Sequence, residues 1–265
     1  MLTNSTYYSS SANLKYFSSS QFKSFQKCEA MTMAEINGEW TREPSKAMLV
    51  GSYIDSAIEG TLAEFQQAHP EIYTRTDTLR AEYKRAEEIV SYIESQPMLM
   101  EYLEGDKQTI LTGKISGVSF KARLDVLHPD RIVDLKTTGR FAKVWSDELH
   151  SFTDFISAWR YDIQLAIYQE LYRQTYDDTL PCYIVAVTTE PIPDSRIILL
   201  DQAQLDWALE EVELEVNHFM AVKFNMLEPI RCEKCDYCKS TRKVSKVYKW
   251  SELDSDMNPA VEVRL

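Results

Sequence analysis

Apolar side chains recur along the chain with two different periods, which predict separate helical and β-strand regions. Three- and four-residue steps predict helices over residues 18–28, 45–65, 77–94, 152–176 and 202–224. Alternating or short continuous apolar runs predict strands over residues 109–115, 118–127, 131–136, 181–189 and 195–200. The order of these elements predicts an α/β fold in which a mixed central β-sheet is flanked by helices.

The same pattern divides the chain into three regions. Residues 1–17 are rich in Ser, Thr, Asn and Tyr and show no clear period, which predicts an extended or poorly ordered N-terminal arm. Residues 18–240 are long enough to bury the core of one domain, and residues 241–265 form a basic and then acidic tail. Apolar runs are too short to cross a bilayer and no secretion signal is evident, so we expect a cytoplasmic protein without membrane contacts.

Charge is distributed unevenly along the chain. The formal net charge is -12, but the segment from Arg231 to Lys249 has seven basic residues against two acidic ones, a local balance of +5. With Tyr248 and Trp250, this segment could contact a DNA backbone or base, and a solvated tail is an equally open alternative. The net charge alone neither supports nor excludes a nucleic-acid partner.

Two acids and a lysine lie close together on neighbouring predicted strands. A short hairpin would bring Asp125 and Asp134 together, and Lys136 points to the same face as Asp134 because side chains alternate along a strand. Paired carboxylates in a partly buried site require a neutralising cation, and hard oxygen ligands suit Mg²⁺ or Mn²⁺. On residue types alone, an ordinary surface ion pair remains an alternative.

These residues lie in a longer series of motifs. The segments Arg123–Leu127 and Ile132–Thr138, with the sequences RLDVL and IVDLKTT, resemble the core of PD-(D/E)XK nucleases, and the DLKTT ending is similar to their RecB-like branch. Upstream, Gly51–Glu59 resembles the helical motif of that branch, in which Asp55 occupies the position of a metal ligand. Downstream, Tyr161–Tyr168 resembles its Gln-x-x-x-Tyr helix. The resemblance implies a restriction-endonuclease-like core.

The resemblance also implies a role for each motif residue. The implied metal ligands are Asp55, Asp125, Asp134 and the backbone carbonyl of Leu135. The implied catalytic residues are Asp125, Asp134, Lys136, Gln164 and Tyr168. Without the resemblance, helical spacing favours a solvated face for Asp55 and leaves simple packing open for Gln164 and Tyr168.

Within the superfamily, the chain is most similar to phage and prophage RecE-like exonucleases of the exonuclease VIII type. That likeness implies a Mg²⁺-dependent deoxyribonuclease that hydrolyses phosphodiesters from the ends of duplex DNA during recombination. It also implies a single-strand annealing protein as partner, and it leaves a homo-oligomer open. The alternative is a DNA-binding recombination subunit with the same fold that does not cut, or that cuts only with a partner.

The cysteines form a second constellation. Cys232, Cys235 and Cys238 follow a Cys-x-x-Cys-x-x-Cys spacing, and Cys28 is a plausible fourth ligand from the first predicted helix. Four thiolates suit either Zn²⁺ or an iron–sulfur cluster, and free thiols are the alternative. The arrangement resembles that of AddB-type and CRISPR-adaptation nucleases, which implies a [4Fe-4S] cluster, although the gap before Cys238 is narrower than in those families. Cys182, inside a predicted strand, is interpreted as a core thiol.

Overall fold

The computed structural model describes residues 2–146, 150–243, 247, 249 and 250. Its strands are β1 (Asp106–Ile115), β2 (Val118–His128), β3 (Arg131–Thr138), β4 (Val144–Ser146), β5 (Ser151–Thr153), β6 (Cys182–Thr188) and β7 (Ser195–Leu199). The acidic end of the tail, Lys246 and Tyr248 lie outside the described residues, so the predictions made for them are not addressed by the structure. None of the described helices has the length and apolar character needed to cross a membrane.

A mixed five-stranded sheet forms the centre of the molecule, with the strand order β1-β2-β3-β6-β7. The first three strands are an antiparallel meander, β3 pairs with β6 in parallel, and β7 returns antiparallel to β6. Ser116 and Gly117 join β1 to β2 with positive φ angles of 48° and 82°, which matches a two-residue hairpin turn. Strands β4 and β5 form a separate small hairpin. The predicted α/β class and mixed sheet are confirmed.

Helices cover both faces of this sheet. They are α1 (Ser10–Lys15), α2 (Ser19–Lys27), α3 (Glu29–Ile36), α4 (Lys46–Glu59), α5 (Leu62–Ala68), α6 (Ala81–Glu94), α7 (Pro97–Leu103), α8 (Phe155–Ala158), α9 (Tyr161–Tyr176), α10 (Gln202–Lys223) and α11 (Asp236–Ser240). One apolar core lies between the sheet and helices α2, α9 and α10, and the other between the sheet and helices α4, α6 and α7. Strands β3 and β6 contribute side chains to both cores, which explains their continuous apolar sequences.

Two of the predicted helices are interrupted in the structure. The helix predicted over residues 45–65 ends at Gly60, which takes a left-handed conformation, and α5 then begins a new direction. The helix predicted over residues 152–176 is divided by Arg160, which also has a positive φ and is held there by Asp162 and Glu211. Apolar periodicity continues across both breaks, so the pattern alone did not reveal them. Helices α3, α7 and α11 were also missed, because each is short.

The N-terminal arm is folded against the sheet instead of being extended or poorly ordered. Ser9 caps α1, and Phe17 pairs with the edge of β2 at Phe120. Beneath the arm, the side chain of Lys121 is only 1% exposed, and its Nζ donates to the carbonyl of Tyr7 and to Asn13 Oδ1. A buried ammonium requires hydrogen-bond acceptors, and the arm supplies two of them to Lys121.

A second buried lysine leads to a prediction about stability. Lys223 is 2% exposed, and burial, together with the nearby Lys121, lowers its pKa from 10.5 to about 7. Between that pKa and 10.5, the unfolded chain binds a proton that the folded chain has lost, so stability must rise with pH. We expect the free energy of unfolding to rise by about 2 kcal/mol between about pH 7 and pH 9 through this residue.

Denaturant unfolding at several pH values checks this expectation. Lys223→Met should reduce the rise by about this amount, because Lys121 and Lys23, whose pKa values burial lowers to about 8, keep their own contributions. An unchanged pH slope in Lys223→Met would show that other groups control the titration.

Candidate active site

The pairing of β2 with β3 brings the first two predicted acids together. The ladder ends at Val126 opposite Val133, so the next positions along the two strands are Asp125 and Asp134. Beyond that point the strands separate, and Asp125 Oδ2 accepts a hydrogen bond from the backbone N–H of Leu135 at 3.1 Å. Both carboxylates therefore lie where the hairpin opens.

Asp134 is the most deeply buried acid of the group, with 0% of its surface exposed. Its Oδ1 accepts a hydrogen bond from Gln164 Nε2 at 2.8 Å. Its Oδ2 has no hydrogen-bond partner of suitable geometry among the described residues, but it lies 2.5 Å from Lys136 Nζ. Lys136 Nζ also lies 3.3 Å from the carbonyl oxygen of Leu135. Two of the oxygen atoms predicted to bind metal thus lie within 3.3 Å of the same ammonium nitrogen.

Helix α4 brings the third acid to the same place. A Cβ atom at Gly51 would lie 3.2 Å from Thr137 Oγ1, so the glycine allows the helix to approach β3 closely. One turn later, Asp55 faces the site, where its charge interacts with those of Lys136 and Asp134. Glu59, a further turn along, accepts a hydrogen bond from the side chain of Gln108 and lines the outer part of the site.

Burial and mutual repulsion dominate the electrostatics of these acids. Burial, reinforced by Glu59 and Asp134, raises the pKa of Asp55 to about 7 against the opposing effect of Lys136. Burial and the neighbouring Asp134 raise the pKa of Asp125 well above its usual value. Burial disfavours the ammonium of Lys136, but the three carboxylates outweigh it and raise its pKa well above 10.5. The group as a whole favours a cation.

These residues fit a hard divalent cation. The buried Oδ2 of Asp134, the carboxylates of Asp55 and Asp125, and the carbonyl of Leu135 are all oxygen ligands of the kind that Mg²⁺ and Mn²⁺ prefer. Neighbouring acids help to raise the pKa of Asp55 and of Asp125, and a cation would relieve that repulsion.

Helix α9 contacts the site from the face of the sheet that it covers together with α2 and α10. Gln164 Nε2 donates to Asp134 and also lies 3.0 Å from the hydroxyl of Tyr168. Tyr168 is buried, and burial together with the nearby Asp134 raises its pKa well above 10. Tyr168 is therefore packed in the core, and the half-buried Gln164 contacts both Tyr168 and Asp134.

This contact predicts an effect that simple packing would not produce. Gln164→Leu should lower kcat roughly 10- to 100-fold with little change in KM, because it removes the group that orients Asp134. Steady-state cleavage assays measure both constants, and Gln174→Leu provides a control, since Gln174 lies near the far end of α9 and bonds to Lys114. Equal activity of the two variants would reduce Gln164 to a packing residue.

Two clefts meet at Asp55. One has a volume of about 480 Å³ and is bounded by the N-terminal arm, α4 and β2. The other has a volume of about 780 Å³ and lies between α4, the end of β3 and the segment around Trp159 and Tyr161. Both are wide and open to solvent, as a site for a polymeric substrate requires.

Sequence reasoning missed several residues at the site. Arg123 lines the smaller cleft, and its position two residues before Asp125 on the same strand could have revealed it. Tyr161 lies beside Lys136, whose Nζ is 5.2 Å from the ring centroid. Tyr7 and Tyr8 reach the cleft through tertiary packing of the arm, for which the sequence carries no local signal.

The four predicted cysteines also converge. The Sγ atoms of Cys28, Cys232, Cys235 and Cys238 all lie within 4.8 Å of one another. Cys28 Sγ lies 3.5 Å from Cys238 Sγ, and the Cys232–Cys238 distance between sulfur atoms is 3.9 Å. Backbone N–H groups of Met31, Cys235 and Cys238 point at three of the sulfur atoms, a pattern that favours thiolates. The early and late cysteines therefore form one cluster, the cysteine clasp.

Local interactions within the clasp alter the thiol pKa values in opposite directions. Burial raises the pKa of Cys28 to about 12, whereas hydrogen bonds from the backbone of Lys234 and Cys235 overcome burial and lower the pKa of Cys232 to about 7. Cys182 is buried in β6 outside the cluster, as predicted from the sequence.

Some basic side chains in and after the clasp form hydrogen bonds and ion pairs within this segment. Arg231 donates to the carbonyl of Cys238 at 2.7 Å and pairs with Glu233, which also pairs with Arg242. Trp250 is exposed, and what it contacts remains a prediction.

Comparisons with known proteins show the family of the chain. Residues 18–241 match the family described as a PDDEXK-like domain of unknown function (DUF3799). A crystal structure described as a "putative exonuclease" from Eubacterium rectale is 38% identical, covers 98% of this chain and 99% of its own, and superposes with a TM-score of 0.92. The crystal structure of SSO0001 is 14% identical, covers 75% of this chain and 85% of its own, and has a TM-score of only 0.28, too low for any conclusion. No curated protein matches. The chain therefore belongs to this PDDEXK-like family and, through it, to the PD-(D/E)XK nuclease superfamily.

Proposed function

We propose that the chain is a deoxyribonuclease that uses Mg²⁺ or Mn²⁺ to hydrolyse phosphodiester bonds. The observation that carries this proposal is the convergence of three acids, one lysine and a backbone carbonyl at the opening of the β2–β3 hairpin. A structural ion pair requires only one acid for one ammonium, and each further acid at a partly buried site raises the electrostatic cost.

Each residue has a chemical task in such a reaction. A bound divalent cation would act as a Lewis acid and would lower the pKa of a coordinated water. Asp125 and Asp134 would hold that cation together with the Leu135 carbonyl, and Asp55 would complete the site from α4. Lys136 would donate hydrogen bonds to the attacking water and to a phosphate oxygen, where negative charge develops. Gln164 keeps Asp134 oriented.

Among nucleases, we favour an exonuclease that acts on duplex ends. Support comes from the description of the similar Eubacterium rectale protein and from the resemblance of the motifs to RecE-like enzymes. The same resemblance suggests a role in recombination beside a single-strand annealing protein. A partner-dependent subunit is the alternative.

Digestion of linear and closed circular DNA separates these possibilities. The purified chain with Mg²⁺ should degrade linear duplex DNA and leave covalently closed circles intact. Degradation of both forms would indicate an endonuclease. If neither form is cut by the chain alone, adding the candidate annealing partner tests partner dependence, and continued inactivity would overturn the proposal.

We also propose that the cysteine clasp binds a single tetrahedral ion, most simply Zn²⁺. Zinc–thiolate bonds of about 2.3 Å place tetrahedral sulfur atoms roughly 3.8 Å apart. The observed Sγ distances of 3.5 and 3.9 Å agree with one shared ion. In a [4Fe-4S] cluster each thiolate binds a different iron, so the thiolate sulfur atoms would stand farther apart.

Elemental analysis and the visible spectrum of anaerobically purified protein test the zinc proposal. We expect one zinc per chain and a colourless protein. A brown protein that contains iron would contradict the proposal.

A further inference from the structure

The smaller cleft beside the active site has an unusual charge distribution. Its lining includes the acidic side chains of Asp55, Glu59, Glu64 and Asp125. Arg123 is the single basic side chain among the described residues that line it. A DNA strand carries a negative charge at every nucleotide, so it could follow this cleft only where a cation compensates the acids.

The guanidinium of Arg123 is oriented by contacts with tyrosine side chains and not by an ion pair with a carboxylate. Its guanidinium lies 4.8 Å from the ring centroid of Tyr8 and 5.5 Å from that of Tyr7, and it donates a 2.8 Å hydrogen bond to the Tyr8 hydroxyl. Within the described part of the chain, no carboxylate lies within 4.0 Å of its guanidinium nitrogens. Stacking on aromatic faces orients the guanidinium, while most of its donors keep their capacity for a phosphate.

Tyr8 gives the cleft an aromatic edge. Its side chain is 65% exposed, although its hydroxyl is fixed by Arg123. Tyr7, in contrast, is buried beneath it with the rings nearly perpendicular and their centroids 5.0 Å apart, and Lys121 holds the backbone of Tyr7 from below. An exposed aromatic ring that is fixed at one end costs little conformational entropy when a nucleobase packs on it.

The spacing of residues along β2 relates Arg123 to the position of the reacting bond. Arg123 lies two residues before Asp125 on the same face, so their Cα atoms are about 6.6 Å apart. This distance is comparable to one step between successive phosphates of an extended strand. A phosphate at Arg123 would therefore be the neighbour of the phosphate that the acids address.

We propose that Arg123 and Tyr8 form a subsite for the nucleotide adjacent to the scissile bond. Arg123 binds the phosphate of this nucleotide and Tyr8 packs against its base, so the N-terminal arm positions the strand in the active site. The arm precedes the residues that match the family model, which begin at residue 18. The subsite rests on the proposed DNA nuclease function.

Methylphosphonate scanning tests the phosphate contact directly. A single neutral methylphosphonate is placed in turn at each of the first phosphates of a fluorescent duplex end, and binding is followed by anisotropy with Ca²⁺ in place of Mg²⁺. Arg123→Gln should weaken binding roughly tenfold and lower the slope of log K against log salt concentration by about 0.9. At one phosphate, methylphosphonate should weaken wild-type binding but have no further effect on Arg123→Gln.

A matched control separates this contact from a general loss of positive charge. Arg131 also lies over a tyrosine ring, with its guanidinium 4.3 Å from the centroid of Tyr102, but it pairs with Asp130 outside the cleft. Arg131→Gln should retain wild-type affinity and the full methylphosphonate effect. Arg123→Lys keeps the charge without the planar fork and should recover only part of the affinity.

The base contact has its own test. Tyr8→Leu should weaken binding about tenfold, and an abasic nucleotide at the same position should remove the difference between variant and wild type. This variant also tests the subsite if Arg123→Gln fails to fold.

The outcomes distinguish the subsite from the proposed activity. Cleavage by the wild type, with additive effects of Arg123→Gln and every methylphosphonate, would overturn the subsite and leave the nuclease proposal intact. Arg123 would then only balance the charges of Glu59 and Asp55. Coupled binding effects without any cleavage would instead support the subsite and count against the proposed activity.

Discussion

Replacing Lys136 with methionine is expected to lower kcat for DNA cleavage by roughly 10³-fold. The ammonium of Lys136 lies 2.5 Å from Asp134 and would face the attacking water and a phosphate oxygen, so its loss removes transition-state stabilisation. Methionine keeps a similar side-chain volume, which limits any packing defect. Single-turnover cleavage of a linear duplex with saturating Mg²⁺ measures the effect.

Thermal unfolding distinguishes this loss from misfolding. Without Lys136, the three acids lack their compensating charge, so Lys136→Met should melt at lower temperature in EDTA than the wild type and gain more from added Mg²⁺. Lys114→Met provides the matched control, since the side chain of Lys114 lies on β1 away from the acids. Full cleavage by Lys136→Met would remove this lysine from the proposed mechanism.

Disruption of the cysteine clasp should have the second large effect, and on stability instead of chemistry. Cys238 is 0% exposed and brings the segment that follows α10 against Cys28, which caps α3. Since the folding energy of a structural metal site comes from binding, Cys238→Ser should lower the free energy of unfolding by on the order of 5 kcal/mol or more. Chelation of the wild-type protein should have a similar effect.

Denaturant unfolding with and without a chelator checks this expectation. Cys182→Ala removes a buried thiol outside the clasp, so it should lose some packing energy but keep its bound metal and its response to chelation. A wild-type protein that is indifferent to chelation, and that contains no metal, would mean that the cysteines are free thiols.

The sequence was sufficient for the elements whose signal is local. Strands β1, β2, β3, β6 and β7 follow from alternating or continuous apolar runs, and the hairpin that joins Asp125 to Asp134 follows from their order. Resemblance to known nucleases implied a place for Gln164 at the site, but its contact with Asp134 was not predicted, because helical periodicity does not indicate which neighbour a glutamine will face.

The remaining features depend on contacts between distant parts of the chain. The left-handed break at Arg160 exists because Asp162 and Glu211 hold its side chain, and Glu211 lies on another helix. The N-terminal arm is ordered because the buried Lys121 needs acceptors that only the arm supplies. Apolar periodicity continues across the break, and the arm has no clear period, so local sequence alone cannot predict either feature.

Nucleotide release from linear duplex DNA, measured for the wild type and for Asp134→Asn, tests the proposed active site most directly. This substitution preserves the shape of the buried side chain and removes the charge that pairs with Lys136 and that would hold a divalent cation. We expect release by the wild type with Mg²⁺, none with EDTA, and none above background for a folded Asp134→Asn variant. Release by Asp134→Asn at the wild-type rate would contradict the assignment of this site.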